Sequence, residues 1–402
     1  MKKKKKVISL VLATILSLGL SFVNAPKVEA HETTSFVFES DAITKVPAGT
    51  YYIDSLSVSN LTNATVDLTG CTFIGGGYSG ALRALGCKNV TVIGGTFRPE
   101  KSMDGIGLRV QNKSSLVLKN VKFLNYEQAA RIDSGNVEYQ NCTIKNVNLI
   151  GITINNKGTK VTYNGGSIEK CGQRSDASQG GKPDAHAAGV GVYNGGTFIA
   201  KNTTIKNNHG CGIAVLNNGS GKSYVKVYGS TISGNGDHGI GAGPSADVTI
   251  DRLKVKGKYK NTVVKNNKYD GVMLLPKCTS GKIAYLTATG NGRDGLAVSE
   301  GSTAKKIENC TLNKNSRSGL MVYNGTAKNV NKCTCNQNGS YGVSASENGV
   351  INSMTKCTVK KNKAYGVVSM NRSKIKKVSK CTIKNNKEGQ TYCMEDSVLK
   401  LK

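Results

Sequence analysis

The chain has 402 residues, 55 Lys and Arg against 25 Asp and Glu, a net charge of +30, 48 glycines and no tryptophan. That length exceeds one ordinary globular core, so it calls for several domains or for a repeat that grows by stacking. The charge leaves the fold open but points to polyanionic partners: uronic-acid polysaccharide, anionic cell-wall polymer or nucleic acid.

Residues 1–30 read as a secretion signal. Lys2 to Lys6 supply the positive region, Val7 to Val23 the apolar run and Val28-Glu29-Ala30 a small-residue cleavage site. The apolar run is too short for a membrane anchor, and no other segment is expected to span a bilayer. Removing residues 1–30 takes away six lysines and one glutamate and leaves about +25. Secretion to the outside or the cell surface argues against nucleic acid and leaves anionic polysaccharide as the expected partner of a monomer. Residues 31–65, with Ile43 to Ile53 at their centre, are expected to cap the repeats after them, because an open strand edge exposes unpaired backbone groups.

From about residue 66 to residue 390 one phrase recurs. Asn309-Cys310-Thr311-Leu312, Asn315 and Gly319-Leu320-Met321-Val322 return as Lys332-Cys333-Thr334-Cys335, Asn338 and Gly342-Val343-Ser344-Ala345. They return again as Lys356-Cys357-Thr358-Val359, Asn362 and Gly366-Val367-Val368-Ser369, so that cysteines and glycines share one nearly constant period. Each phrase holds two short alternating strands, joined by a turn at the Asn and Gly, residues that accept left-handed backbone angles cheaply. Strands so short bury a face only when stacked, which predicts an all-β parallel β-helix. One inward position recurs at Cys71, Gly95, Val121, Cys142, Gly166, Thr203, Ser230, Thr262, Leu286, Cys310, Cys333, Cys357 and Cys381, giving about thirteen coils. The steps from Gly166 to Thr203 and from Ser230 to Thr262 are longer than the rest, so loops should bulge there. Residues 391–402 form a short tail.

Twelve cysteines in a secreted chain suggest disulfides, and stacked neighbours ~4.8 Å apart could pair. The cysteine slot is shared with Leu and Thr, however, so buried free thiols are the favoured expectation. No C-x-x-C pair occurs, and no zinc site is expected.

Asn208, Asn235, Asn267, Asn291, Asn315, Asn338 and Asn362 each precede a coil glycine by four residues and should stack as an amide ladder. The three residues between carry the chemistry. His186, His209 and His238 fall on adjacent coils beside Asp237, Asp270 and Asp294, with Lys268, Tyr269, Arg293 and Arg317 close by and Arg174 and Asp184 on the first inserted loop. Removing the proton next to a uronate carboxylate requires a base, an acid and neutralisation of the carboxylate. His186, His209, Asp237, His238 and Lys268 are the candidates for proton transfer. Arg174, Asp184, Arg293, Arg317 and Tyr269 are the candidates for substrate binding. Asp237, Asp270 and Asp294 could bind Ca²⁺ through oxygen ligands or orient the histidines, with Asp270 and Asp294 the candidate metal ligands.

The repeat N-x-x-x-G-[VIL] behind a C/S/T-T-[IVL] strand resembles the right-handed parallel β-helix of the pectate-lyase-like superfamily, from Ala42 to Gly389. The resemblance implies the fold and a range of activities: polysaccharide lyases, uronate C5-epimerases, glycoside hydrolases, adhesins and non-catalytic binders. Asp184-Ala185-His186 resembles the Asp-Pro-His motif of alginate C5-epimerases, with Pro183 preceding instead of intervening. Asp237-His238-Gly239 is similar to the Gly-His-Gly of polygalacturonases, whose adjacent-aspartate motif is absent, which counts against hydrolysis. The expectation is a lyase or C5-epimerase of acidic polysaccharide. The alternative is a non-catalytic carbohydrate- or surface-binding β-helix, with a glycoside hydrolase third.

Overall fold

The structure is a computed structural model that describes residues 32–173, 187–217 and 221–402. The chain winds as a right-handed parallel β-helix, and the described residues contain no α-helix. Successive short strands fall in turn into three long sheets of fifteen, eleven and fourteen strands, so each coil contributes one strand to each face. A two-stranded continuation, Thr358–Lys360 with Thr382–Lys384, extends the second sheet through the bridges Thr311 to Thr334 and Thr334 to Thr358.

The fourteen strands of the third sheet make about fourteen coils. The coil beyond the thirteen inward slots is supplied by the lead-in: Ile43–Lys45 pairs with Thr65–Asp67 and Gly49–Ile53 with Cys71–Gly75. At the other end Val398–Leu401 adds the last strand of the first sheet. The longer step between Ser230 and Thr262 is an antiparallel hairpin of Leu253–Val255 and Lys258–Lys260, with Arg252 between the rings of Tyr259 and Tyr285, 3.9 Å from each. The other inserted loop lies mostly in residues 174–186, outside those described, as do residues 1–30.

Alternation places one apolar row of each strand in a continuous core. Tyr51, Phe73, Phe97 and Phe123 stack along it at centroid separations of 5.6, 4.9 and 5.4 Å. The cysteines are thiols with no disulfide among the described residues, and ten of the twelve are buried. Burial pushes the Cys142 thiol up to about 11 and the Cys278 thiol up to about 12, which keeps both protonated and unreactive at neutral pH.

The corner between the second and third sheets is the most regular feature. Its first residue has positive φ in every coil from Asn207 (54°) through Gly234 (64°), Asn266 (53°) and Gly290 (66°) to Asn385 (56°). The left-handed residue is thus the one before the recurring asparagine. The asparagine points inward instead, and its amide spans the coils: Asn235 Nδ2 donates to Asn267 Oδ1 at 2.8 Å, Asn267 to Asn291 at 2.9 Å and Asn291 to Asn315 at 3.0 Å. Each Oδ1 also accepts the backbone N–H of the preceding asparagine, as in Asn291 N to Asn315 Oδ1 at 3.2 Å. Asn386 extends the ladder beyond the sequence count, accepting from Asn362 Nδ2 at 2.8 Å. The coil glycine is needed for close approach: a Cβ at Gly271 would lie 2.6 Å from Gly295 O and 2.8 Å from Asn291 Nδ2.

Replacing Asn315 by Ala removes the acceptor that both Asn291 donors share. It also takes one of two donors from Asn338 Oδ1, all in buried surroundings. Asn315→Ala should therefore cost about 3 kcal/mol in chemical denaturation, from unmet buried groups at about 1–3 kcal/mol each. Thr311→Ala, on the outer face of the same coil, should cost under about 1 kcal/mol. Equal midpoints for the two variants would remove the ladder from its structural role.

Candidate functional site

The corners of coils seven to eleven carry the polar residues that the sequence singles out. In this corner the main chains stack in register: Tyr269 N–H donates to Asp237 O at 3.4 Å, Arg293 N–H to Tyr269 O at 3.1 Å and Arg317 N–H to Arg293 O at 3.0 Å. Asp237, Tyr269, Arg293 and Arg317 thus form one row, coil upon coil, and His209 and Lys268 belong to the row beside it. His209, Lys268, Arg293 and Arg317 are exposed, and Tyr269 is half-buried. The Arg293 guanidinium lies 5.2 Å from the Tyr269 ring centre and Lys268 Nζ 5.7 Å, so two cations flank one ring. Rungs are spaced ~4.8 Å apart. Asp237 therefore has His209 one coil to one side and Lys268 with Tyr269 one coil to the other, while Arg293 and Arg317 lie two and three coils away.

Behind this exposed row runs a buried one. His238, Asp270 and Asp294 are only 3, 2 and 3% exposed. Each accepts the backbone N–H of the next coil: Asp270 N donates to His238 Nδ1 at 3.1 Å, Asp294 N to Asp270 Oδ1 at 2.7 Å and Ser318 N to Asp294 Oδ1 at 2.7 Å. Asp270 Oδ2 lies 3.2 Å from His238 Nδ1, Asp237 Oδ1 lies 3.5 Å from Nε2, and Asp237 Oδ1 accepts the His238 backbone N–H at 2.8 Å. Both imidazole nitrogens thus face the chain's own carboxylates. The His238 ring is enclosed between Asp237 and Asp270.

Asp270 and Asp294 do not fit the calcium expected from their composition. Each has one oxygen committed to a main-chain N–H, their neighbour is an imidazole nitrogen, and among the described residues no three His, Cys, Asp or Glu side chains converge as a metal site. They are instead a buried carboxyl pair. Burial, with the Asp270 carboxylate beside it, pushes the Asp294 carboxyl up to about 6, against the opposing pull of Arg317 and the Ser318 N–H.

Of the other candidates, Arg174, Asp184 and His186 lie outside the described residues. The sequence reading missed the floor beside the row. The outward residues of the third sheet at Gly191, Ala214 and Gly241 are small and buried, in register from coil to coil. Ala214 packs with Ala188 and Cys211 in a second apolar cluster, which Tyr193 and Leu216 border. The signal was present two residues after each coil glycine. A separate cavity of about 480 Å³ lies on the first sheet, lined by Lys306, Lys356, Lys377 and Lys380 with Glu308 and hydroxyl and amide side chains.

The buried carboxyl makes stability depend on pH. The folded Asp294 holds its proton to about pH 6, and its ordinary value is 3.8. The stability this proton contributes is complete below pH 3.8 and is lost as pH rises through 6. Asp294→Asn keeps an oxygen for the Ser318 N–H and removes the charge. At pH 7.5 it should be more stable than the parent by up to about 3 kcal/mol, at 1.36 kcal/mol per pKa unit. The gain should fade towards pH 4 in denaturation series, and a gain that is the same at every pH would contradict the assignment.

No curated protein sequence matches the chain. Among solved structures it is similar to the A-module of the mannuronan C-5 epimerase AlgE4 of Azotobacter vinelandii, at 11% identity and a TM-score of 0.40, covering 89% of this chain and 88% of that one. It is also similar to the catalytic unit of a GH87 α-1,3-glucanase from Streptomyces thermodiastaticus, at 13% identity and a TM-score of 0.39, covering 89% and 63%. A third is PfbA, a surface adhesin of Streptococcus pneumoniae, at 11% identity and a TM-score of 0.36, covering 84% and 82%. A family profile described as the right-handed β-helix region matches residues 188–349 and 256–401, together more than half of the sequence. With its three parallel sheets and in-register corners, the chain belongs to the right-handed β-helix family.

Proposed function

We propose that this β-helix acts on an acidic, uronate-containing polysaccharide laid across the corners of coils seven to eleven, outside the cell and as a monomer. The observation that carries the reading is the set of exposed side chains at these corners: His209 on coil seven, then Lys268, Arg293 and Arg317 on coils nine to eleven with Tyr269 among them, next to the small residues Ala214 and Gly241 of coils seven and eight. A polyuronate bears one carboxylate per sugar, and Lys268, Arg293 and Arg317, on three successive coils ~4.8 Å apart, suit such a ligand.

The chemistry that fits is proton removal from the carbon bearing the carboxylate. His209 and Lys268, one coil to either side of Asp237, are the groups whose reach covers one sugar, and one of them takes the proton. Arg293 and Arg317 hold carboxylates through bidentate contacts, and a guanidinium at the reacting carboxylate stabilises the charge that develops there. If the electron pair left on carbon expels the O4 substituent, the chain is cleaved by elimination. If a proton returns to the opposite face, the sugar is epimerised at C5. Tyr269 is the hydroxyl available to give a proton. Asp237, held by His238, orients the bases.

A second reading, a non-catalytic binder of anionic polymer, is favoured by one observation: the buried His238, Asp270 and Asp294 each give one polar atom to a main-chain N–H of the next coil. The two readings part in one experiment. Purified protein incubated with polygalacturonate, alginate and glycosaminoglycans, with and without Ca²⁺, should yield unsaturated uronides by absorbance or a changed C5 ratio by NMR. His209→Ala or Lys268→Ala should lower kcat by about 10²-fold or more. Arg317→Ala should raise KM, with a smaller effect on kcat. Tight, salt-sensitive binding with no product from any of these polymers would leave only the binder.

A further inference from the structure

The third sheet carries a second row of cations that the proposed chemistry does not use. Arg83 pairs in register with Arg109, and Arg109 with Arg131, on coils two to four. Their strand neighbours Leu82, Ala84, Leu108, Val110, Ala130 and Ile132 are wholly buried, so all three arginines project from the outer face. The ladder spans ~10 Å, two rungs of ~4.8 Å. Like charges directly opposite on neighbouring strands are destabilising. The counter-charge bonded to the ladder is one carboxylate: Arg131 Nε donates to both oxygens of Asp133 at 3.1 Å. Above and below, the row continues as the uncharged Thr153 and Ser57.

Among the described residues the other two guanidiniums have no carboxylate partner. Arg109 Nη1 donates to Tyr78 O at 3.0 Å, on the loop Gly75-Gly76-Gly77-Tyr78-Ser79-Gly80. That loop closes onto the ladder at Gly80, where φ is +98° and a Cβ would sit 2.9 Å from Arg109 Cβ. Arg83 Nε is buried and has no hydrogen-bond partner among the described residues. Tyr78 itself is 63% exposed at the edge of the row. The chain thus bears the repulsion of three stacked guanidiniums, fixes one with a glycine loop and leaves a buried donor unmet. Asp133 shows what the row takes: a carboxylate.

We propose that Arg83, Arg109 and Arg131 form a binding site for carboxylated sugars, taking two successive carboxylates of an acidic oligosaccharide on Arg83 and Arg109, with Tyr78 against a sugar ring. The site stands on residues outside coils seven to eleven, so it holds whether or not the protein turns its ligand over. The guanidinium fork matches a carboxylate in two parallel hydrogen bonds, which a lysine cannot reproduce.

The test is calorimetric titration of the full chain carrying His209→Ala, Arg293→Ala and Arg317→Ala, so that neither turnover nor binding at the corners of coils seven to eleven intrudes. The probes are hexamers of galacturonate and of mannuronate, a heparin hexasaccharide and a neutral maltohexaose. Uronate hexamers should bind, maltohexaose should not, and Arg83→Ala with Arg109→Ala should weaken uronate binding by about tenfold or more, since charged hydrogen bonds are worth about 1.5–3 kcal/mol each. Arg109→Lys, which keeps the charge and the fold, should recover only part of that loss. Lys305→Ala, on another face, should leave affinity unchanged. Unaltered uronate affinity in the double variant would overturn the site. Binding of heparin but of neither uronate would overturn its assignment to carboxylates.

Discussion

The structure depends on amides that bond to one another along the axis of the coil. From Asn208 to Asn386 every corner places one buried asparagine beneath the next, each joined to its neighbour through side chain and backbone. A buried polar group is costly unless met, so a coil that slipped by one residue would strand an amide on either side of it. The ladder therefore fixes register as well as adding stability. The coil glycine completes the constraint, because the chains approach too closely there for any side chain.

That fixed register makes a row of corner residues chemically meaningful. Asp237, Tyr269, Arg293 and Arg317 are a full coil apart along the chain and only one rung apart in space. The same geometry stacks His238, Asp270 and Asp294 in the interior of the corner. Desolvated carboxylates are expensive, and here the backbone N–H groups of the following coils offset part of the cost. What remains is the raised proton affinity of Asp294. The buried row lies behind the exposed cations, which form the surface proposed to meet a ligand.

The surplus positive charge is not spread evenly. Arginines line the outer face of the third sheet near its start, exposed cations crown the corners in the middle, and lysines surround the cavity on the first sheet towards the end. A solenoid offers each of its faces as a straight strip, so a polymer with a regular repeat can meet any of them without bending. The cysteines follow the opposite logic. Cys71, Cys142, Cys310, Cys333, Cys357 and Cys381 stack in one inward slot and fill space there, and burial holds the Cys142 thiol protonated.

The sequence by itself determined the fold. A nearly constant period, an alternation of apolar positions and an asparagine at a set distance before each glycine leave one architecture, because such short strands bury their faces only by stacking. All thirteen inward slots fall in register, and the loop expected between Ser230 and Thr262 is a hairpin there. It also located the rows of the candidate site, since equal offsets from the coil glycine become neighbours in space. Tertiary structure alone decided which members of those rows face outward. His209 and His238 look equivalent in the sequence, yet one is exposed and the other is enclosed by Asp237 and Asp270. Asp270 and Asp294 read as candidate calcium ligands in the sequence, and only the packed chain shows one oxygen of each on a main-chain donor. Arg83, Arg109 and Arg131 became a ladder only once their strands were paired, because these early coils lack the glycine phrase that marks the later ones. Burial and hydrogen-bond partners belong to the packed chain, and spacing cannot report them.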